Sequence, residues 1–492
     1  PIPTMHALQP RHLFLGLVSL VCSLPMPASA QEPSPSKPLN VLMIAVDDLR
    51  PELGCYGKTF IHSPNIDRLA ASGMRFDRAY CQVAVCGASR ASLMSGCRPE
   101  TTQCWNFKTL LRSKMPDVLT LPQHLSRNGY ETSLLGKVYH SASDDASAWT
   151  VDASEWAPRD RSKGKGYVQE LPRKRNPANS SEKPGPSIEN GGDVPDNAYA
   201  DGHNAERAVA MLERFATQDK PFFLAVGFLK PHLPFNAPGK YWDLYDRDAI
   251  EIPSREDVID GLPYARSSWG ELKNYADIPA KTKMLDNDKT RELIHGYRAA
   301  VSYMDAQVGK VLDALESNGQ RENTIVVLWG DHGWYVGDFG DWCKHTNYEI
   351  ATRVPLIVSA PGIPAGETES LVELVDLYPT LCDLTGLSIP QHCQGKSIAG
   401  VVRDPKLSVR PAAFSQYKKS KPGVGPLLGT SIRTERFRYT EYVSSKTGKL
   451  EDIVLIDLDN DPGAIRNVAS DPAYQSFLPQ LHAWCEQSAT GL

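Results

Sequence analysis

Leu39-Asn40-Val41-Leu42-Met43-Ile44-Ala45-Val46 is an almost wholly apolar run that stops abruptly at Asp47-Asp48. A run of this length without polar alternation reads as a strand buried on both faces, as in parallel or mixed sheets. Phe222 to Phe228, Thr324 to Trp329 and Pro355 to Ser359 have the same character. Helical patterns lie between them. One covers Leu121 to Arg127 and ends at Asn128-Gly129, a second covers His203 to Phe215, and a long third covers Arg291 to Glu316, closed by Asn318-Gly319. The alternation predicts an α/β fold, a large mixed sheet sandwiched by helices. In such sheets, sites form beyond the carboxyl ends of the strands. Asp47-Asp48 and Asp331-His332 fall at those ends.

Adjacent acids on a turn are usually only solvated. Two such pairs, each closing an apolar strand, point instead to a metal site of three carboxylates and an imidazole. Carboxylate oxygens suit a hard cation, Ca²⁺ or Mg²⁺, while the histidine leaves Mn²⁺ or Zn²⁺ open.

Cys86-Gly87-Ala88-Ser89-Arg90 precedes a helical pattern at Ala91, Leu93 and Met94, with Arg98-Pro99 downstream. Helix starts carry unpaired N–H groups and partial positive charge, which favour an anion or an activated nucleophile. Alone, such a cysteine is more often buried or disulfide-bonded. It gains meaning from Gly136-Lys137-Val138-Tyr139-His140, Lys230-Pro231-His232 and Lys344 in Asp341-Trp342-Cys343-Lys344. Histidine moves protons near neutral pH, and lysine or arginine neutralises a transferring anion. Together these groups describe transfer of an anionic group, and the residues alone do not separate sulfate from phosphate.

The chain has 492 residues and a net charge of −5, so no overall basic field points to nucleic acid. An anionic substrate must therefore be held by a local cluster. Arg11 and His12 precede an apolar run from Leu13 to Leu24, and Ala28-Ser29-Ala30 fits a cleavage site. We expect a start at Met5, a signal peptide over 1–30, a tether over 31–38, and an exported protein, periplasmic or secreted, with no stable membrane anchor. Ten cysteines occur. Cys22 would leave with the signal and, with Cys86 set aside, the remaining eight suit disulfides outside the cytoplasm, Cys382 with Cys393 as a local pair. No CxxC occurs, which disfavours a zinc ribbon.

Residues 141 to 200 read as a surface insertion with basic clusters at Arg159, Arg161, Lys163, Lys165 and Arg173-Lys174-Arg175, part of which would form a rim for an anionic substrate. We expect a catalytic domain over 39–398 and a smaller C-terminal α+β domain over 399–492. Its expected elements are strands at Gly429 to Arg433, Phe437 to Tyr442 and Ile453 to Leu458 and a helix from Tyr474 to Cys485.

These motifs resemble those of the sulfatase family, in the alkaline phosphatase superfamily. Cys86-Gly87-Ala88-Ser89-Arg90 is similar to its Cys-x-Pro/Ala-x-Arg signature, whose cysteine is oxidised to formylglycine by a formylglycine-generating enzyme. Position 88 is Ala where Pro is commoner. Gly136 to His140, Lys230 to His232, Gly330-Asp331-His332-Gly333-Trp334 and Ser431-Ile432-Arg433-Thr434 resemble the iduronate-2-sulfatase branch. The segment from Ile456 to Pro462 is similar to a tail motif of bacterial sulfatases.

The resemblance implies an alkaline phosphatase-like fold. It implies one Ca²⁺ held by Asp47, Asp48, Asp331, His332 and the side chain at Cys86. It also implies that the hydrated formylglycine attacks sulfur to give a covalent sulfo-enzyme, assisted by Arg90 and the metal. His232 or Lys344 would protonate the leaving sugar oxygen, and His140 would help the second hydroxyl expel sulfate. Lys137, His232, Lys344 and Trp334 would bind substrate, Trp334 by lining the sugar pocket. The implied substrate is a sulfated oligo- or polysaccharide, cleaved at the 2-O-sulfate of a uronic acid. A phosphodiesterase or phosphonate monoester hydrolase on the same scaffold is the alternative, as is a non-catalytic sulfated-glycan binder should Cys86 stay a thiol.

Overall fold

A computed structural model describes residues 37–141, 144–152, 166–169, 185–254 and 262–488. The expected signal segment, most of the tether and the basic clusters at 159–165 and 173–175 lie outside the described residues.

Among the described residues eight strands make the main sheet: β1 (Asn40–Val46), β2 (Met74–Tyr80), β3 (Glu131–Gly136), β4 (Phe222–Phe228), β5 (Thr324–Gly330), β6 (Arg353–Ser359), β7 (Gly366–Thr368) and β8 (Val372–Glu373). The order is β7-β2-β6-β5-β1-β4-β3, with β8 also on β2. Strand β1 runs parallel to β4 and β5, while β6 is antiparallel to both β2 and β5. The sheet is therefore mixed, as expected.

Side chains of β1 alternate between two cores. Leu42, Ile44 and Val46 enter one, and Val41, Met43 and Ala45 enter the other. The first core is closed by α4 (Ala200–Ala216) and α5 (Asn287–Ser317). Ala205, Ala208 and Leu212 of α4, and Tyr297, Val301, Met304, Val308 and Val311 of α5, form apolar stripes at helical spacing. Helix α5 opens on Asp286, whose side chain accepts from the Lys289 N–H, the usual answer to an orphan donor. The second core is closed by α2 (Cys86–Ser95), α3 (Leu121–Arg127) and α6 (Leu377–Thr385). Helix α1 (Pro64–Ala71) packs Ile66 and Leu69 into the first. Each fully buried Leu, Ile or Val contributes about 1.5–3 kcal/mol, so β1 is anchored from both sides and its carboxyl end is rigidly placed.

Beyond these layers lies an antiparallel meander, β9 (Ala412–Lys421), β10 (Gly425–Thr434), β11 (Phe437–Ser444) and β12 (Leu450–Asp457), covered by α7 (Leu478–Glu486). Phe414, Ile432, Tyr439, Leu455 and Leu481 make its core. This is the smaller α+β part. Its edge β9 docks on the main body: Gln416 N–H donates to Gln82 O at 2.7 Å and Ser415 Oγ to Cys81 O at 2.6 Å.

Several expectations need correction. The two long helices begin earlier, at Ala200 and Asn287, and the last begins later, at Leu478, after a short 3₁₀ turn over Pro472–Tyr474. Strands β2, β3, β7, β8 and β9 are not among those expected. In β2 buried Met74 and Phe76 alternate with the half-buried charges Arg75 and Asp77, so the segment lacks the continuous apolar run of a central strand. The nine described cysteines are all free. Cys382 is fully buried in the second core and Cys393 packs against the same core; both are free thiols, so the expected Cys382–Cys393 disulfide is not formed.

Candidate active site

The parallel strands β1 and β5 end side by side, with Val46 opposite Gly330. That register puts Asp47-Asp48 and Asp331-His332 next to one another, all four fully buried. Asp48 takes a left-handed backbone (φ 59). Aspartate tolerates this conformation better than most residues, and such strain gathers at functional sites. The Asp48 N–H donates to Asp331 Oδ1 at 3.1 Å, tying the two strand ends together.

Cys86 is the first residue of α2, and Arg90 lies one turn on. Arg90 is fully buried and donates from Nε to Asp331 Oδ2 at 2.9 Å and from Nη2 to Asp47 Oδ1 at 3.3 Å. Its other amino group meets the Lys137 and Val138 carbonyls, and its guanidinium lies over Trp329. One arginine thus links three elements. Gly136 ends β3 at φ 67, where a Cβ would collide with the Gly227 carbonyl. Only glycine makes this turn, and the turn aims Lys137 at Asp47, which its Nζ contacts. His140 Nδ1 stands 3.2 Å from Cys86 Sγ.

His232 and Lys344 complete the ring. Lys344 Nζ donates to Asp48 Oδ1 at 2.6 Å and lies 4.9 Å from the Trp334 ring centre. His232 Nδ1 faces the Leu233 carbonyl at 2.6 Å, and Nε2 meets Glu271 Oε1 at 2.6 Å. A carbonyl only accepts, so Nδ1 carries a proton, and the carboxylate holds a second at Nε2. Glu271 Oε2 also reaches Lys344 at 3.3 Å. Glu271 escaped the sequence reading because it follows no strand and sits in no motif. Only the chain path brings it here.

The electrostatics follow from burial. Burial works to raise the Asp47 carboxyl, but Lys137, His232 and Arg90 outweigh it and hold Asp47 well below the usual carboxylate range. For Asp48 burial prevails over Lys344 and raises the group, and Asp331 is raised to about 6 despite Arg90. Burial lifts the Cys86 thiol to about 11, more than Lys137 and Lys344 offset. An unmodified Cys86 is therefore a protonated thiol at neutral pH, poorly suited to act as a thiolate. Burial and Lys137 push His140 down to about 4, leaving it neutral.

The metal expectation can be tested against the donors. Ligand atoms of Asp47, Cys86, Asp331 and His332 lie within 4.8 Å of one another, and Asp47, Asp48 and His232 form a second such group. Asp48 Oδ2 and His332 Nε2 are buried and have no hydrogen-bond partner. His332 Nδ1 faces the Gly333 carbonyl at 3.0 Å, so its proton is on Nδ1 and Nε2 presents a lone pair. Orphaned acceptors this deep are costly unless something cationic meets them. The residues present fit a hard cation.

All the expected site residues gather here except one in its expected role. Trp334 is fully buried in the first core, edge-on to Phe235. It supports Lys344 from below and shows no face to a sugar. Arg98, from the Arg98-Pro99 pair, points away from the site and pairs with Glu373 at 2.6 Å. No helix among the described residues is long and apolar enough to cross a membrane.

A sulfatase family model matches residues 39–387, and the model "N-sulphoglucosamine sulphohydrolase, C-terminal" matches residues 330–490. Iduronate 2-sulfatase from Mus musculus is 32% identical, covering 96% of this chain and 98% of that protein. Among solved structures, a 2-O GAG sulfatase is similar with a TM-score of 0.66 and 25% identity, covering 92% of this chain and 91% of that one. A phosphonate monoester hydrolase from Silicibacter pomeroyi shares the fold at a TM-score of 0.72 and 23% identity, covering 90% of this chain and 94% of that one. With the family model spanning most of the chain and the matching residues assembled at the strand ends, the chain belongs to the sulfatase family and is a sulfuric ester hydrolase.

Proposed function

We propose that this enzyme removes the 2-O-sulfate of a uronic acid in a sulfated oligo- or polysaccharide, using formylglycine made from Cys86 and one Ca²⁺. The observation that carries this reading is the strand-end cluster: a buried thiol at a helix start, in reach of Asp47, Asp331 and His332, with two buried acceptors left without partners. The similarity to iduronate 2-sulfatase and to a 2-O GAG sulfatase supports the sugar and the position. In this reading residues 1–30 are a signal peptide, 31–38 a tether, 39–398 the catalytic domain and 399–492 the C-terminal domain. The protein is exported and meets a formylglycine-generating enzyme during maturation.

Asp47, Asp48, Asp331 and His332 would hold the cation with the side chain at 86. The bound ion would neutralise developing negative charge, and the hydrated aldehyde would supply an oxygen nucleophile. The protein's own groups do the rest. Arg90 fixes Asp47 and Asp331 against each other. Lys137 and Lys344 face the cluster from two sides and receive the anionic oxygens of the ester. His232 carries a proton at Nε2, held there by Glu271, and delivers it to the leaving sugar oxygen. His140, neutral beside position 86, accepts a proton there.

The test is desulfation of defined heparan, dermatan, chondroitin and algal oligosaccharides. Release of sulfate from 2-O-sulfated uronic acids is expected, and release only from other positions would overturn the specificity. Mass spectrometry of the Cys86 peptide should show loss of the thiol and gain of an aldehyde. The shared fold of the phosphonate monoester hydrolase favours one rival reading. Faster turnover of bis(4-nitrophenyl) phosphate than of 4-nitrophenyl sulfate would establish it.

A further inference from the structure

Strand β9 leaves the docking seam through Tyr417-Lys418-Lys419 and passes the mouth of the active site. Tyr417 and Trp105 pack on Val83, Val85 and Ala88, the segment that delivers Cys86. At Gly87 a Cβ would sit 2.7 Å from Phe107 Cα, so the 105–108 loop lies directly on the nucleophile turn. Phe107 is 49% exposed, and its ring centre is 5.4 Å from that of His140. On the other side His345, next to Lys344 in the chain, faces Tyr417 at 6.0 Å.

Cations stand over these rings. Lys418 Nζ is 4.3 Å from the Trp105 centre, Lys419 Nζ 5.2 Å from Tyr417, and Lys108 Nζ 5.9 Å from Phe107. Among the described residues none of the three lysines is in an ion pair; Lys419 donates to the Arg266 carbonyl at 3.3 Å and feels Asp341 only at longer range. In a chain of net charge −5, unpaired lysines gathered on aromatic rings beside a nucleophile are out of keeping with a merely solvated surface. Aromatic faces suit the apolar faces of a pyranose, and ammonium groups suit its sulfate or carboxylate.

We propose that this ledge is a binding subsite for a second anionic group, carried on the sugar joined to the one being desulfated. It deepens, and rests on, the sulfated-glycan reading above. The ledge recognises the neighbouring unit, so its contribution appears in KM for oligosaccharides rather than in the chemical step.

The test compares two disaccharides that the wild-type enzyme hydrolyses, identical except for a second sulfate on the adjoining sugar. Wild type should favour the disulfated one in kcat/KM. In Lys418→Met/Lys419→Met, which keeps the apolar stems over the rings and removes both charges, that preference should fall about tenfold or more, mostly through KM. Lys418→Arg/Lys419→Arg should keep it. Equal preference in wild type and the methionine variant, or no preference in wild type, would overturn the ledge. Should wild type cleave 4-nitrophenyl sulfate but neither disaccharide, the glycan reading fails. The pair is then compared as inhibitors of aryl sulfate hydrolysis, where equal inhibition constants would overturn the ledge as well.

Discussion

Two groups of buried carboxylates in this molecule are treated in opposite ways. At the seam between the main body and the C-terminal meander, Glu373 and Asp376 are fully buried, and all four of their oxygens are met. Glu373 faces Arg98, Arg410, Gln82 and the Phe414 N–H, while Asp376 accepts from Arg410 and from the Lys396 and Glu373 N–H groups. At the strand ends Asp48 is equally buried, yet its Oδ2 has no partner. A buried carboxylate whose oxygens are all met holds a structure in register, whereas an acid with an unmet oxygen is tolerated for what it will bind. The seam is finished by folding. The strand-end site is finished by a cation.

The largest expected effect bears on the strand-end site alone. Cys86→Ala should lose turnover by a factor on the order of 10⁴ or more, with the melting temperature unchanged. Substantial hydrolysis by this variant would sink the nucleophile assignment. Next comes the cation. Chelation should abolish activity and Ca²⁺ should restore it, and added Ca²⁺ should raise the melting temperature, because a ligand of the folded state stabilises by about 2.7 kcal/mol at a hundred times its Kd. An active, thermally unaltered chelated enzyme would erase the difference between the two regions.

A paired substitution sharpens the contrast. Glu373→Gln leaves Arg98 and Arg410 facing a neutral amide and should lower stability in denaturant by about 3 kcal/mol. Asp48→Asn should lose activity while metal-free stability stays level or rises, since burial already raises that carboxyl and an amide nitrogen can occupy the place of the unpartnered oxygen. Equal destabilisation by both would break the comparison. Smaller again is Glu271→Gln, which loosens the proton held on His232 Nε2. We expect kcat to fall about tenfold and Glu271→Asp to recover part of it, while an unchanged kcat would remove Glu271 from the machinery.

A pH dependence at the seam completes the set. Glu349 accepts from Arg438 at 2.6 Å. Burial raises this carboxyl, but Arg438 and Arg433 outweigh it and hold it at about 2 against an ordinary 4.5. A depressed folded pKa adds stability above the unfolded value and loses it as pH falls from about 4.5 towards 2. Arg438→Met should flatten that stretch of the stability curve, measured by denaturant midpoints.

The central strands were legible because β1, β4 and β5 are buried on both faces and must be apolar throughout. Strands β2 and β9 were not, since one has a charged outer face and the other carries lysines out to the active-site mouth. Asp47, Asp48, Asp331 and His332 stood out because each pair closes an apolar run. Glu271 gave no such signal, and Trp334 gave a misleading one: its place beside Asp331-His332 suggested a pocket, and packing drew it into the core.

Local chemistry alone determined the α/β class, the strand-end acids, the cysteine at a helix start and the family, because these rest on periodicity and short motifs that neighbouring residues impose. Only the tertiary structure decided that Glu271 holds His232, that Trp334 supports rather than lines, that Cys382 and Cys393 stay unbridged, and that lysines outside any ion pair gather at the mouth. Those outcomes depend on contacts between residues tens to hundreds of positions apart, where packing and the search for buried charge partners, rather than sequence spacing, settle which groups meet.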